Sequence, residues 1–194
     1  MSRWEDDLVD PFLADLEDQG GELGALALAL EDVAPPASLR DAILGAAKIE
    51  GRLDRFAALV AELLDVSEAR ASALLDGIAR PESWTEGPAP DVTLYHVEGG
   101  PRVAGSVTGF VHMPAGAEFP EHEHLGEEAV LVVQGSFEDG VTGAVHRPGD
   151  VVRMRAGSAH FFRARPGPAL VYLVVLGVGV RIGELVMRAD DPRL

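Results

Sequence analysis

From residue 86 onward the apolar residues of this chain fall into short runs rich in β-branched side chains: VTLYHV, GSVTGFVHM, EAVLVVQGSF, DVVRM, AHFFRA and LVYLVVLGV. Glycine- and proline-containing turns separate them. Runs of that length with turn residues between them are too short for core helices and specify a domain of antiparallel strands. The longest apolar stretch, Ala169 to Val180, is far too short to cross a bilayer as a helix, and its β-branched content marks a buried strand.

Before residue 85 the period is different. Apolar residues recur at helical spacing in LRDAILGAAKI, RFAALVAELLDV and ARASALLDGIA. Breakers divide this half into about five helical pieces. The first opens near Asp10-Pro11 and breaks at Gly20-Gly21, and ELGALALALED forms the second, ending at Pro35-Pro36. Ser38 starts a third, Leu39 to about Ile49. Gly51 separates a fourth, and Ser67 is placed to cap a fifth that ends near Ala79. PESWTEGPAPD, Pro81 to Asp91, has the composition of a linker. The expected fold class is therefore α+β, with a small helical domain over residues 1–85 and a β-barrel domain over residues 86–194. The segment 52–79 is longer than a linker requires. Its default role is to complete the helical domain's core; packing on the barrel or a homodimer contact are the alternatives.

Charge and composition narrow the function. The net charge is −16, of which residues 1–85 carry −11 and residues 86–194 carry −5. Such a surface repels nucleic acid and anionic membranes and leaves a basic protein or a cationic ligand as the partners it suits. The chain has no cysteine, so disulfides, thiolate metal sites and a cysteine nucleophile are all excluded. The first residues, MSRWEDDLVDPF, lack the basic start and apolar core of a signal peptide, and a cytoplasmic location is expected.

The chemistry concentrates in FPEHEHLGEEAVLVVQG, Phe119 to Gly135. On a strand, residues two apart share a face, so His122 and His124 aim at one point. Glu128 begins the next strand after a Leu125-Gly126 turn and approaches the same point. Downstream, His160 follows the strand DVVRM and a turn at Ala156-Gly157-Ser158, and strand pairing brings it beside the other three. Three imidazoles and a carboxylate suit a borderline divalent cation such as zinc, iron, manganese or nickel. Glu121, Glu123 and Glu127 read as outer-face charges, one of which is placed to orient a ligand. His96, His112 and His146 read as strand or surface positions outside the site.

Gly116, His122, His124, Glu128 and Gly135 have the spacing of the first cupin motif, G(X)5HXH(X)3E(X)6G. Gly149, Gly157 and His160 resemble the second motif, G(X)5PXG(X)2H(X)3N, with Arg155 and Ala164 in its proline and asparagine positions. The resemblance implies a cupin (double-stranded β-helix, jelly-roll) barrel holding one divalent metal on His122, His124, Glu128 and His160. The helical half adds a second likeness. LALALEDVAPPASLRDAILGAA, in which one helix ends at Pro-Pro and the next begins, together with HLGEEAVLVVQGSFED, resembles the ChrR-type cupin anti-sigma factors.

That resemblance implies a transcriptional regulator rather than an enzyme, with no catalytic residues. Its helical domain would sequester a sigma factor, and its cupin domain would sense a small-molecule or oxidant stress signal. The zinc-binding helical domain of that family carries a H…HxxxCxxC set, whereas residues 1–85 here contain neither His nor Cys. A metal-dependent cupin enzyme, dioxygenase-like and acting on a small molecule, is the alternative. Arg153, Arg155, Arg163 and Arg165 are the basic groups such an enzyme would use, but strand alternation turns them outward if Val152, Met154 and Phe162 face in.

Overall fold

The computed structural model describes residues 51–189, Asp191 and Leu194. The three helical pieces expected within residues 1–50 lie outside the described residues. The chain divides into two compact units, Met1–Ala46 and Ala47–Leu194, and every described residue belongs to the second. Among the described residues no helix is long and apolar enough to cross a membrane.

Among the described residues twelve strands form two six-stranded sheets in which every pairing is antiparallel. Sheet I has the order β1 (Thr85–Glu86), β2 (Thr93–His96), β3 (Val107–Met113), β10 (Leu170–Leu176), β5 (Glu128–Gln134) and β8 (Val151–Met154). Sheet II has the order β12 (Leu185–Arg188), β11 (Gly179–Ile182), β4 (Glu118–His124), β9 (Ala159–Ala164), β6 (Phe137–Asp139) and β7 (Val145–His146). From β3 to β6, and again from β8 to β11, each turn carries the chain from one sheet to the other. Residues close in sequence therefore face each other across the sandwich.

The apolar patterns explain which faces are covered. Val111, Val130, Val132, Leu170, Tyr172 and Val174 of sheet I meet Phe119, Phe162, Ala164 and Val180 of sheet II in the inner core. Sheet I is buried on its outer face as well, where Phe110, Leu131, Val133, Val171 and Leu173 form a second core. That double burial is why β5 and β10 read as continuous apolar runs. In β9, whose outer face meets solvent, buried and exposed residues alternate strictly.

Two helices cover the outer face of sheet I. A turn of 3-10 helix at Asp54–Phe56 leads into α1 (Ala57–Leu64), and α2 (Glu68–Gly77) follows. Leu53, Phe56, Val60, Leu64, Leu74 and Leu75 pack on the sheet residues just named. The default expectation for this segment, completion of a separate helical core, is thus replaced by docking on the β-structure: with sheet I offering an apolar outer face, the shortest way to bury both is against each other. α1 ends where Asp65 turns into the left-handed region (φ 58°, ψ 46°). The Asp65 carboxylate then accepts from the Arg102 backbone N–H at 2.9 Å and from its Nε at 2.8 Å, and these bonds hold the carboxyl below the usual carboxylate range. Ser67 caps α2 as its sequence position indicates, its Oγ accepting from Arg70 N at 3.2 Å.

The expected linker is not a free tether. Its Pro81–Ser83 forms a 3-10 turn, and β1 pairs with β2 through Thr85 opposite Leu94. Trp84 donates from Nε1 to Ile78 O at 3.1 Å and sits edge-on to Tyr95 and His112. A tryptophan with both an apolar surface and a satisfied N–H is the anchor that a reading based on Pro and Gly content overlooks.

Candidate metal centre

All four residues singled out for metal binding come together. His122 and His124 lie on β4 facing the interior, 5% and 0% exposed, and His160 on β9, 8% exposed, stands opposite His122 in the ladder. The β4–β9 register shifts between Phe119 and His122, and this irregularity precedes the two ligands. Glu128 is the first residue of β5, so it reaches the site from sheet I, and its side chain is 10% exposed. One ligand atom from each of the four lies within 4.8 Å of every other.

Two glycines in the turns beside the ligands, of which Gly157 belongs to the second motif, make this convergence sterically feasible. Gly126, in the turn from β4 to β5, packs so close to β11's approach that a Cβ there would fall 2.8 Å from Val178 N. Gly157 has φ +77° and donates its N–H to His124 O at 2.8 Å, which seats the turn preceding His160 against β4.

The imidazoles are oriented by their second nitrogens. His122 donates from Nδ1 to Pro120 O at 2.9 Å, and His124 donates from Nδ1 to Ser158 O at 3.0 Å, with Ser158 Oγ at 3.1 Å. His160 donates from Nδ1 to Asp139 Oδ2 at 2.6 Å. With Nδ1 carrying the proton, each ring presents an Nε2 lone pair, the arrangement metal-ligating histidines require. Burial pushes the His122 pKa down to about 4, overriding the Pro120 carbonyl, so this ring is neutral at physiological pH.

His124 Nε2, Glu128 Oε2 and His160 Nε2 are buried without a hydrogen-bond partner. His124 Nε2 and Glu128 Oε2 lie 2.6 Å apart, yet both offer lone pairs when the His124 proton sits on Nδ1. Three buried acceptors without donors are unfavourable by themselves and are relieved by a shared cation. A tetrahedral ion with bonds of about 2.1 Å has ligand edges of about 3.4 Å, so the four donors need shifts of only about an ångström to surround one. The residues fit a divalent metal.

Asp139 is the functional residue that sequence reasoning missed. Burial pushes its carboxyl up, but hydrogen bonds from His160 and from Thr142 outweigh that and hold it at about 2. Its other oxygen accepts from Val141 N, Thr142 N and Thr142 Oγ1 at 3.1, 2.7 and 2.8 Å, which fixes the carboxylate in place. A signal was present: in the run Phe137-Glu138-Asp139, alternation turns Asp139 inward, where a carboxylate needs a partner. Asp139→Asn is expected to weaken metal binding about 10- to 100-fold while leaving one site per chain, because it loosens the orientation of His160 without removing a ligand. Metal titration with a competing chelator reads this directly.

The flanking acids behave as outer charges. Glu121 and Glu127 are exposed, Glu123 pairs with Arg181 at 2.7 Å, and none of them orients a ligand. His96 is exposed and His112 is half-buried beside Thr93, whereas His146 is half-buried against the Phe137 ring rather than free in solvent. Arg153, Arg155 and Arg163 point outward, and Arg165 is half-buried outside the site.

Next to the ligands lies a cavity of about 70 Å³ between the sheets, into which His122, Glu128 and His160 project. Its remaining walls are almost wholly apolar, with Phe119, Met154, Phe162 and Leu176 among them.

The ChrR cupin-like domain family matches residues 80–178, and the chain belongs to it. An RmlC-like cupin protein from Ralstonia eutropha JMP134 is 28% identical with a TM-score of 0.46, the alignment covering 62% of this chain and 74% of that one. Rhodobacter sphaeroides SigE in complex with the anti-sigma ChrR aligns at 19% identity and a TM-score of 0.46, over 87% and 82% of the two chains. An acetylacetone dioxygenase from Acinetobacter johnsonii aligns at 14% identity and a TM-score of 0.48, over 57% and 83%. No curated protein matches the chain. The fold is a cupin-like sandwich of two antiparallel sheets preceded by a short helical segment.

Proposed function

We propose that this chain is a cytoplasmic, metal-binding regulator of the ChrR type. The acidic helical part within residues 1–85 sequesters a basic sigma factor, and the β-domain of residues 86–194 responds to a small-molecule or oxidant signal at a zinc ion held by His122, His124, Glu128 and His160. The observation that carries the metal half is the set of three buried, partnerless acceptors converging with His122 on one point. Bound there, the ion supplies Lewis acidity and a fixed positive charge. Family membership and the −11 charge of residues 1–85 support the partner half. That no arginine among the described residues lines the cavity supports a sensor over an enzyme that must orient a polar substrate.

Full-length protein purified without a histidine tag is expected to carry one zinc per chain and to retain a co-expressed extracytoplasmic-function sigma factor. Protein that stays metal-free after reconstitution would overturn the metal half, and failure to retain the sigma factor the partner half. The second reading, a metal-dependent dioxygenase-like enzyme, is favoured by one observation: the cavity beside the ligands leaves room for a substrate. Iron, manganese or nickel in place of zinc would advance it.

A further inference from the structure

Seventeen of the described residues line the cavity, and only His122, Glu128, His160 and Tyr172 among them carry a polar side chain. Three of these are the proposed metal ligands. Tyr172 stands apart. It lies on β10 between Val111 of β3 and Val132 of β5, is 6% exposed, and rests edge-on to Phe162 at 6.0 Å. Its hydroxyl makes no hydrogen bond to any described residue. Buried tyrosine hydroxyls ordinarily find a partner. Burial and the nearby Glu128 carboxylate also push its pKa well above 10, so the phenol stays a donor throughout the physiological range. A donor on the cavity wall, with no acceptor among the described residues, is placed to meet an acceptor on a ligand.

The rest of the lining defines that ligand. Three neutral imidazoles and one carboxylate around a divalent ion leave a single net positive charge, enough for one anionic or strongly dipolar head. Among the described residues no other charged or hydrogen-bonding side chain lines the cavity. A second charge or a hydroxyl on the ligand's body would lose water against Val111, Met154, Val174 and Leu176 and gain nothing in return.

We propose that the cavity binds a small molecule with one oxygen-bearing head, held between the metal and the Tyr172 hydroxyl, and an apolar body, and that it rejects polyhydroxylated and multiply charged compounds. This rests on the metal-site reading above. Tyr172 is the group that positions the head, and the apolar walls set the specificity.

The test uses full-length protein loaded with Co2+, whose visible absorption reports the coordination sphere. Butanoate and 3-hydroxypropanoate serve as probes, since they differ by a terminal methyl exchanged for a hydroxyl. Butanoate is expected to bind at least about tenfold more tightly, as an apolar pocket discriminates against an unpaired hydroxyl. Tyr172→Phe is expected to weaken butanoate about tenfold, the worth of one hydrogen bond to a charged head, with Co2+ stoichiometry and the spectrum without butanoate unchanged. Equal affinities for the two probes, or unchanged butanoate binding in Tyr172→Phe, would overturn the inference and leave the metal site standing. Failure of Co2+ to develop a spectrum would overturn both.

Discussion

Glu128→Gln is expected to move metal affinity and metal-free stability in opposite directions. The carboxylate is the only anion among the four ligands, and its exchange for a neutral amide lowers the attraction for a divalent cation as well as its ligand strength. Loss of a partner one step removed from the metal costs about 10- to 100-fold in affinity. Loss of this ligand should therefore exceed about a hundredfold. Without metal the sign reverses. Glu128 Oε2 and His124 Nε2 lie 2.6 Å apart, and the His124 proton is committed to Ser158 O at 3.0 Å on the far side of the ring. Both facing atoms are thus acceptors. A glutamine amide at the same place donates an N–H to the imidazole, turning a repulsive contact into a hydrogen bond worth about 1 kcal/mol. For a protein of this size that corresponds to about 2–4 °C in Tm. Isothermal titration with zinc and thermal unfolding in chelator measure the two arms. A variant that loses metal and stability together would show that Glu128 supports the fold rather than the metal.

The four candidate ligands were legible because the information is local. His122 and His124 sit two apart on one strand, Glu128 follows across a single turn, and only His160 needed a pairing inferred from the second motif. Asp139 was not legible in the same way. It reaches His160 across the β6–β9 ladder, and nothing near Asp139 in the sequence names that partner. The flanking glutamates drew attention as candidate orienting groups because they adjoin the histidines in sequence, but on a strand an adjacent residue faces the opposite side.

The helical segment shows a different limit. The periodicity of residues 57–77 specified helices and Ser67 specified where the second begins, yet amphipathicity does not say what covers the apolar face. The answer lay elsewhere in the chain, in the runs of β5 and β10. A strand with one wet face alternates, as β9 does. AVLVV and LVYLVVL do not alternate, so both faces of sheet I need a cover, and one cover has to come from outside the sandwich. Tyr172 escaped notice for a related reason: inside LVYLVVL it reads as one more core residue, and only the cavity beside it gives its hydroxyl a role.

Leu131→Ala carries the largest expected effect on stability, and it tests that docking. Leu131 is fully buried on β5, between Val130 and Val132, which face the inner core, while Leu131 itself faces α1 and α2. Truncating a fully buried leucine removes its transfer free energy and leaves a cavity, a loss of about 2–5 kcal/mol. At about 2–4 °C per kcal/mol for a chain of this length, Tm should fall by about 10 °C. The same change leaves the candidate ligands untouched, since Glu128 projects from the opposite face of sheet I and the three histidines lie on sheet II. Metal affinity at 25 °C should therefore stay within about twofold of the parent, distant sites contributing independently. If α1 and α2 contributed little cover to sheet I, Leu131 would behave as a surface position and the change would stay within about 0.5 kcal/mol. Thermal unfolding and a zinc titration on the same preparation separate the two outcomes, and a large loss of stability at constant affinity is the result that the double burial of sheet I requires.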